Sequence, residues 1–210
     1  MGFDLYGMNP KENYKHPKRY KEIVKKYGDG TFINYGDTPK DVQSEYFELK
    51  DKYQEENPGH YFRNNVWWWR PLWEFVCHHC FDYLTPQDMA KGHLNDGHII
   101  SKTKATKIGK RLLKLIENKT VDRDVNEHTL IMEKAKANND ILDKQKENLK
   151  NRVTKILGKE VPPVDYPEKY KEEWNRLQDQ IQWDDHYPFN KDNVRNFAEF
   201  CLQSGGFQIS

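Results

Sequence analysis

The segment YFRNNVWWWRPLW, residues 61–73, has the composition of a binding site for a flat anion. Its three consecutive tryptophans supply aromatic planes, and the arginines and asparagines beside them supply positive charge and hydrogen-bond donors. Guanidinium groups match phosphate and carboxylate groups, and nucleobases stack on aromatic rings. A nucleotide, or a signalling derivative of one, is the simplest ligand that combines both features. The candidate ligand-binding residues of this segment are Arg63, Asn64, Asn65, Trp67, Trp69 and Arg70.

A second polar segment, GHLNDGHIIS at residues 92–101, could complete this site. Its Asn-Asp-Gly sequence is typical of a turn. The neighbouring histidines can donate or accept a hydrogen bond, and they can take up a proton near neutral pH. The helix predicted to begin at Ser101 would bring N-terminal N–H groups, which favour an anion. We therefore add His93, Asn95, Asp96 and His98 to the candidate ligand-binding residues.

Both segments also have a purely structural interpretation. Tryptophan clusters are common in protein cores, arginine often stacks on tryptophan, and adjacent asparagines form turns. The deciding observation is whether the rings and guanidinium groups at residues 63–70 line a cavity or fill the interior.

Four residues have the spacing of a zinc finger. Cys77, Cys80, His93 and His98 match C-x2-C-x12-H-x4-H, a Cys2His2 pattern that binds zinc tetrahedrally. A finger places its cysteines on a β-hairpin, whereas RPLWEFVCHHCFDYL, residues 70–84, predicts a buried helix. Buried structural cysteines are the competing interpretation. We predict no metal or cofactor, with zinc at these four residues as the alternative.

No segment has the pattern of a known catalytic motif. The chain contains no G-x-S-x-G, P-loop or G-x-G-x-x-G sequence. Cys201 lies on the apolar face of a predicted helix, and Asp184-Asp185 lies in an irregular segment. We therefore expect a binding protein without catalytic residues.

Charge and cysteine content indicate which partners and which cellular location to expect. The chain has 34 basic and 33 acidic residues, a net charge of +1, so a general affinity for nucleic acid is not expected. The basic run at residues 102–119 is most simply the solvated face of a helix. Three cysteines, no signal-peptide pattern and no long apolar window predict a cytoplasmic protein without a membrane segment.

The elements that position these residues are mainly helices. Alternating residues 2–6 predict a first strand, and the closing SGGFQIS predicts a last strand that pairs with it. Residues 61–69 are aromatic and predicted to be extended, which would put Trp67 and Trp69 on one face. The sequence therefore predicts a mainly α fold with a small β element.

A long, exposed helix is predicted after residue 120. Ala135, Leu142, Leu149 and Ile156 recur every seven residues, while the positions between them are mostly polar. This thin apolar stripe permits a helical hairpin with a later helix, or self-association into a homo-oligomer. We expect residues 1–120 and 188–210 to form a globular core and residues 121–187 to form a helical extension.

Four segments resemble a group of uncharacterised proteins encoded by tailed bacteriophages, including phages of marine bacteria. They are MGFDLYGMNPKE, YFRNNVWWWRPLWEFVC, GHLNDGHIISKTKATKIGKRL and NVRNFAEFCLQSGGFQI, which cover about a third of the chain and include both ends. The resemblance implies a phage accessory protein in the cytoplasm of a bacterial host. It implies no reaction and no ligand.

Three functional hypotheses follow. The first is that the protein sequesters a nucleotide-like signal of host defence without catalysing a reaction. The second is that it antagonises a host protein through exposed helices and aromatic residues, because binding hot spots are rich in tryptophan, tyrosine and arginine. The third is a zinc-dependent nucleic-acid module.

Overall fold

A computed structural model describes residues 2–210 and confirms a mainly helical fold with a small β element. Its strands and α-helices are β1 (Gly2–Gly7), α1 (Lys18–Tyr27), α2 (Lys40–Glu56), β2 (Tyr61–Asn65), α3 (Val66–His79), α4 (Pro86–Lys91), β3 (His98–Ser101), α5 (Lys102–Glu117), α6 (Thr120–Leu157), α7 (Glu168–Gln178), α8 (Lys191–Gln203) and β4 (Gly206–Ile209). Pro163–Asp165 and Trp183–His186 form short 3₁₀ turns. None of the helices in this described part of the chain has the length and apolarity needed to cross a membrane.

The four strands form one antiparallel sheet in the order β2-β1-β4-β3. The predicted pairing of the first and last strands is confirmed: Leu5 lies opposite Ile209, and Gly7 lies opposite Phe207. Alternate residues of a strand face opposite sides. The side chains of Leu5, Phe207 and Ile209 are fully buried, so one face of the sheet belongs to the core.

Helices α5 and α8 pack closely against each other, and both contribute fully buried side chains to the core. Gly109 of α5 permits this approach, because a Cβ atom there would lie 2.7 Å from the carbonyl oxygen of Ala198. This packing places one side of α5 in the core and leaves Lys102, Lys107, Lys110 and Lys114 exposed on the other side.

Helix α3 begins earlier than predicted. The interpretation of residues 61–69 as extended is correct only as far as Asn65, and the three tryptophans lie in the first turns of α3. The side chain of Asn65 caps this helix by accepting a hydrogen bond from the backbone N–H of Trp68 at 3.1 Å. The buried helix predicted over residues 70–84 therefore begins at Val66, and Pro71, of a type favoured at the first helical position, lies inside it.

The described residues divide into two compact units: the residues up to Val121 together with Asn190–Ser210, and Asp122–Phe189. Within the second unit α7 runs antiparallel to α6, since Arg152 pairs with Glu173 at 2.5 Å and Asn139 donates to the Gln182 carbonyl at 2.7 Å. An apolar cluster joins the two helices through Leu142, Leu149, Val153, Tyr166 and Leu177. Of the predicted heptad positions, Ile156 is 59% exposed, because the helix ends at the next residue.

Candidate functional site

The predicted tryptophan site is divided between the core and the surface. Trp69 is fully buried, with its ring 5.4 Å from the rings of both Phe3 and Trp73, whereas Trp67 is 38% exposed. The expectation that Trp67 and Trp69 share a face is wrong, because residues two apart on a helix point about 200° from each other. Trp69 is therefore a core residue and does not line an open surface.

Two tryptophan N–H groups anchor α3 to the end of α4. The Nε1 of Trp69 donates to the Gly92 carbonyl at 2.7 Å, and the Nε1 of Trp73 donates to the Met89 carbonyl at 3.0 Å. A Cβ atom on Gly92 would lie 2.0 Å from the Trp73 ring, so only glycine fits there. Buried indole N–H groups need such partners, and here the partners are backbone carbonyls.

The asparagines of the segment also have structural partners. Asn64 donates its side-chain N–H to the Oδ1 of Asn193 at 3.0 Å, and Asn65 caps α3 as described above. Arg63 is exposed on β2, where its Nε lies 3.5 Å from the Oδ1 of Asp4. Arg70 lies on the exposed side of α3. The structure therefore distributes the residues of this segment among separate contacts.

Arg70 is brought close to one residue of the second predicted segment. Burial lowers the pKa of His93, Glu74 opposes that effect, and the positive charge of Arg70 adds to it. The imidazole is therefore held more firmly in its neutral form at neutral pH.

The remaining candidate residues of the second segment form hydrogen bonds or ion pairs with other residues of the protein. Asn95 donates its side-chain N–H to the Gly2 carbonyl at 2.5 Å, and Asp96 forms an ion pair with Lys91. The Nε2 of His98 lies 3.0 Å from the Oδ1 of the buried Asp88. Ligand binding by the ten predicted residues stays a prediction, and these contacts give most of them a structural role.

The alternative zinc ligands occupy different surroundings. Cys77 lies in α3 and Cys80 ends that helix, so neither is on a β-hairpin. Burial raises the pKa of both thiols to about 12. Across residues 2–210 no three His, Cys, Asp or Glu side chains are arranged to hold a metal ion.

A cationic cleft lies elsewhere, on the exposed side of α5. We call it the α5 cleft; its volume is about 480 Å³, and it is lined by Tyr83, Lys107, Lys110, Arg111, Lys114, Leu115 and Asn118. Four of these seven side chains are cations and none is acidic. From the sequence, this basic run is predicted to be a solvated helix face. The signal it lacked was Tyr83, which is 28 residues before Arg111 in the chain.

Arg111 is held in a fixed orientation at the edge of the cleft. Its guanidinium group donates to the His79 carbonyl at 2.9 Å, to the Oδ2 of Asp82 at 2.9 Å and to the Tyr83 hydroxyl at 2.5 Å. Its central carbon lies 4.8 Å from the centre of the Tyr83 ring. Cations over aromatic rings are attracted by the negative ring face. The guanidinium group is therefore positioned before any ligand arrives.

The lysines of the cleft have fewer partners than Arg111. The Nζ of Lys107 lies 5.3 Å from the centre of the Tyr83 ring. Within the described part of the chain, neither Lys110 nor Lys114 forms an ion pair with a carboxylate. The spacing of the four cations creates like-charge pairs three and four residues apart, each of which destabilises a helix by about 0.2–0.5 kcal/mol. An anion in the cleft would offset this repulsion.

Comparison with known proteins identifies no relative: no family model, no curated protein and no solved structure matches this chain.

Proposed function

We propose that this protein binds a phosphate-bearing, nucleotide-like ligand in the α5 cleft and does not transform it. The observation that carries the proposal is the convergence of four cations on one cleft in a chain whose net charge is only +1. The resemblance to phage proteins supports a role in which the ligand is a signal that the host cell uses for defence. The ligand class is the nucleotide-like anion predicted from the sequence, but its proposed site is at α5 and not at the tryptophans.

The cleft offers suitable chemistry for such a ligand. Phosphate oxygens accept charge-assisted hydrogen bonds, which are shorter and stronger than neutral ones. Arg111 provides a fixed guanidinium group whose charge Asp82 partly offsets, while Lys110 and Lys114 provide ammonium groups on flexible stems that can follow the ligand. Leu115 adds apolar contact at one wall.

Thermal-shift and calorimetric titrations with ATP, ADP and a cyclic nucleotide at low salt test this proposal. We expect stabilisation of the wild-type protein by at least one of them, since a ligand at 100 times its Kd adds about 2.7 kcal/mol. The double variant Lys110→Ala/Lys114→Ala should weaken binding by roughly tenfold or more, because hydrogen bonds to charged groups contribute about 1.5–3 kcal/mol each.

The matched control is Lys136→Ala/Lys144→Ala, which removes two exposed lysines of α6 and changes the net charge equally. This control should bind as the wild type does. The proposal would be abandoned if no nucleotide stabilised the wild-type protein at millimolar concentration, or if the control lost as much affinity as the cleft variant.

A second candidate function is antagonism of a host protein. Phe32, Tyr35 and Phe47 are exposed by 56%, 53% and 40%, and the rings of Tyr35 and Phe47 stack with centres 5.9 Å apart. Exposed aromatic groups of this kind favour a protein interface. Pull-downs from host lysate with the wild type and both double variants test this alternative. It is favoured if one specific host protein is captured by the wild type and by Lys110→Ala/Lys114→Ala but not by Tyr35→Ala/Phe47→Ala.

A further inference from the structure

We infer that the α5 cleft selects its ligand by the number of linked phosphates and not by the base. This inference rests on the proposed function, and it names the ligand class more narrowly: a linear oligophosphate, either free or carried by a nucleoside. Two features of the cleft support this inference. Cationic side chains already contact the Tyr83 ring, and the lysines are spaced along α5.

The aromatic ring in the cleft is not open for a base. Lys107 and Arg111 both come from α5, where residues four apart lie on the same side of the helix. Their cationic groups lie 5.3 Å and 4.8 Å from the centre of the Tyr83 ring, and Arg111 also donates to its hydroxyl, so two cations already contact this ring. A nucleobase would have to displace them in order to stack. The ring therefore holds cations in place and does not serve as a platform for a base.

Few groups in the cleft can identify the edge of a base. Asn118 is the one amide among the seven lining side chains. Its Oδ1 already accepts a hydrogen bond from the Thr120 backbone N–H at 3.1 Å. Identification of a base needs several directed donors and acceptors, because each discriminating pair of hydrogen bonds contributes only about 1–3 kcal/mol. The other polar groups are the Tyr83 hydroxyl, which already accepts from Arg111, and ammonium and guanidinium donors, which are suited to phosphate oxygens.

The lysines are spaced to contact a chain of phosphates. Lys107, Lys110 and Lys114 lie on successive turns of α5, and a rise of 1.5 Å per residue separates the first from the last by about 10 Å along the axis. A linear chain of phosphates can extend along this row of lysines, whereas a single phosphate occupies only one place in it. Each further phosphate adds charge and reaches another lysine. Affinity should therefore increase with phosphate number.

Calorimetry with two ligand series tests this inference. The first series is AMP, ADP and ATP, and we expect affinity to increase by about tenfold with each phosphate, or about 1.4 kcal/mol per step. The second series is ATP, GTP, UTP and inorganic triphosphate, whose affinities should agree within about threefold, a difference below 1 kcal/mol. In Lys110→Ala and Lys114→Ala the dependence on phosphate number should flatten. Each substitution places alanine, the residue with the highest helix propensity, at an exposed helix position, so the variants should fold.

The outcomes separate this inference from the proposed function. Equal affinity for AMP and ATP, or a strong preference among bases at a fixed phosphate number, would overturn the inference and leave the proposed function standing. A single-stranded oligonucleotide that binds more tightly than triphosphate, with the same dependence on Lys110 and Lys114, would overturn it in favour of nucleic acid. If no member of either series binds, the proposed function fails and this inference fails with it.

Discussion

At the scale of single residues, Asp88 shows most clearly how polar groups are used inside this fold. Its side chain is almost fully buried and accepts hydrogen bonds from Lys104, from His98, and from the backbone N–H and hydroxyl of Thr85. Burial by itself would raise the pKa of Asp88, but these hydrogen bonds outweigh burial and hold the pKa well below its ordinary value of 3.8. One carboxylate thereby joins α4, β3 and α5.

The lowered pKa of Asp88 predicts a dependence of stability on pH. The folded state favours the charged carboxylate, so its contribution is complete above pH about 4 and declines as the pH falls from there toward the lowered pKa. Asp88→Asn should reduce the free energy of unfolding by about 1.5–3 kcal/mol at pH 7, because hydrogen bonds to a charged group are lost. Urea unfolding should show this difference shrinking as the pH falls from about 4 to about 2.5.

Asp51→Asn, at an exposed position of α2, is the control for this experiment and should have little effect at any pH. A difference between wild type and Asp88→Asn that is as large at the acid end as at pH 7 would contradict the assigned role of Asp88.

At the scale of elements, β4 pairs the last residues of the chain with the first strand. It lies between β1 and β3, although it is only four residues long. Phe207 packs against α8, with its ring 5.3 Å from the ring of Phe200 and 5.8 Å from that of Phe197. Gln208 points to the other face of the sheet and donates to the Gly97 carbonyl at 3.3 Å. A short strand is therefore held by both strand pairing and core packing.

This arrangement predicts unequal effects of neighbouring substitutions in β4. Phe207→Ala should destabilise the protein by about 3–5 kcal/mol, because it leaves a cavity among buried aromatic rings. Gln208→Ala should cost about 0.5–1.5 kcal/mol, the contribution of one ordinary hydrogen bond. Chemical denaturation of both variants measures the difference. Similar losses in the two variants would contradict the dominant contribution assigned here to burial of Phe207.

At the scale of the whole molecule, the two compact units have different kinds of interior. The largest fully buried side chains, among them Trp69, Trp73 and Phe197, all belong to the unit that contains the sheet. In Asp122–Phe189 the buried cluster consists mainly of aliphatic residues along one stripe of α6, and most other side chains of that helix are exposed. Regions with few buried apolar contacts open at lower free energy.

We therefore expect hydrogen exchange to be faster in the second unit. Amides in the middle of α6 should exchange before those of α3 and β1 under native conditions, because fewer buried side chains oppose their opening. Peptide-level mass spectrometry of exchange measures this order directly. Uniform protection across both units would show that the protein opens as one cooperative whole, contrary to this expectation.

The sequence alone determined the fold class and the presence of a short strand at each end of the chain. Alternation in β1 and periodic apolar positions in the helices are local patterns, and local patterns survive in a single sequence. The tertiary structure decided which aromatic residues are accessible. Trp67 and Trp69 are identical in type and lie two residues apart, yet one is partly exposed and the other fully buried, because α3 begins at Val66.

The same reason explains why the α5 cleft was not predicted. A basic run on a helix has one pattern whether it faces bulk water or a tyrosine ring, so periodicity does not distinguish the two cases. The α5 cleft exists because folding brings Tyr83 and Asp82 against Arg111, across a separation of 28 residues for Tyr83 and 29 for Asp82. Local patterns along the chain determined the elements, and contacts between distant residues formed the α5 cleft.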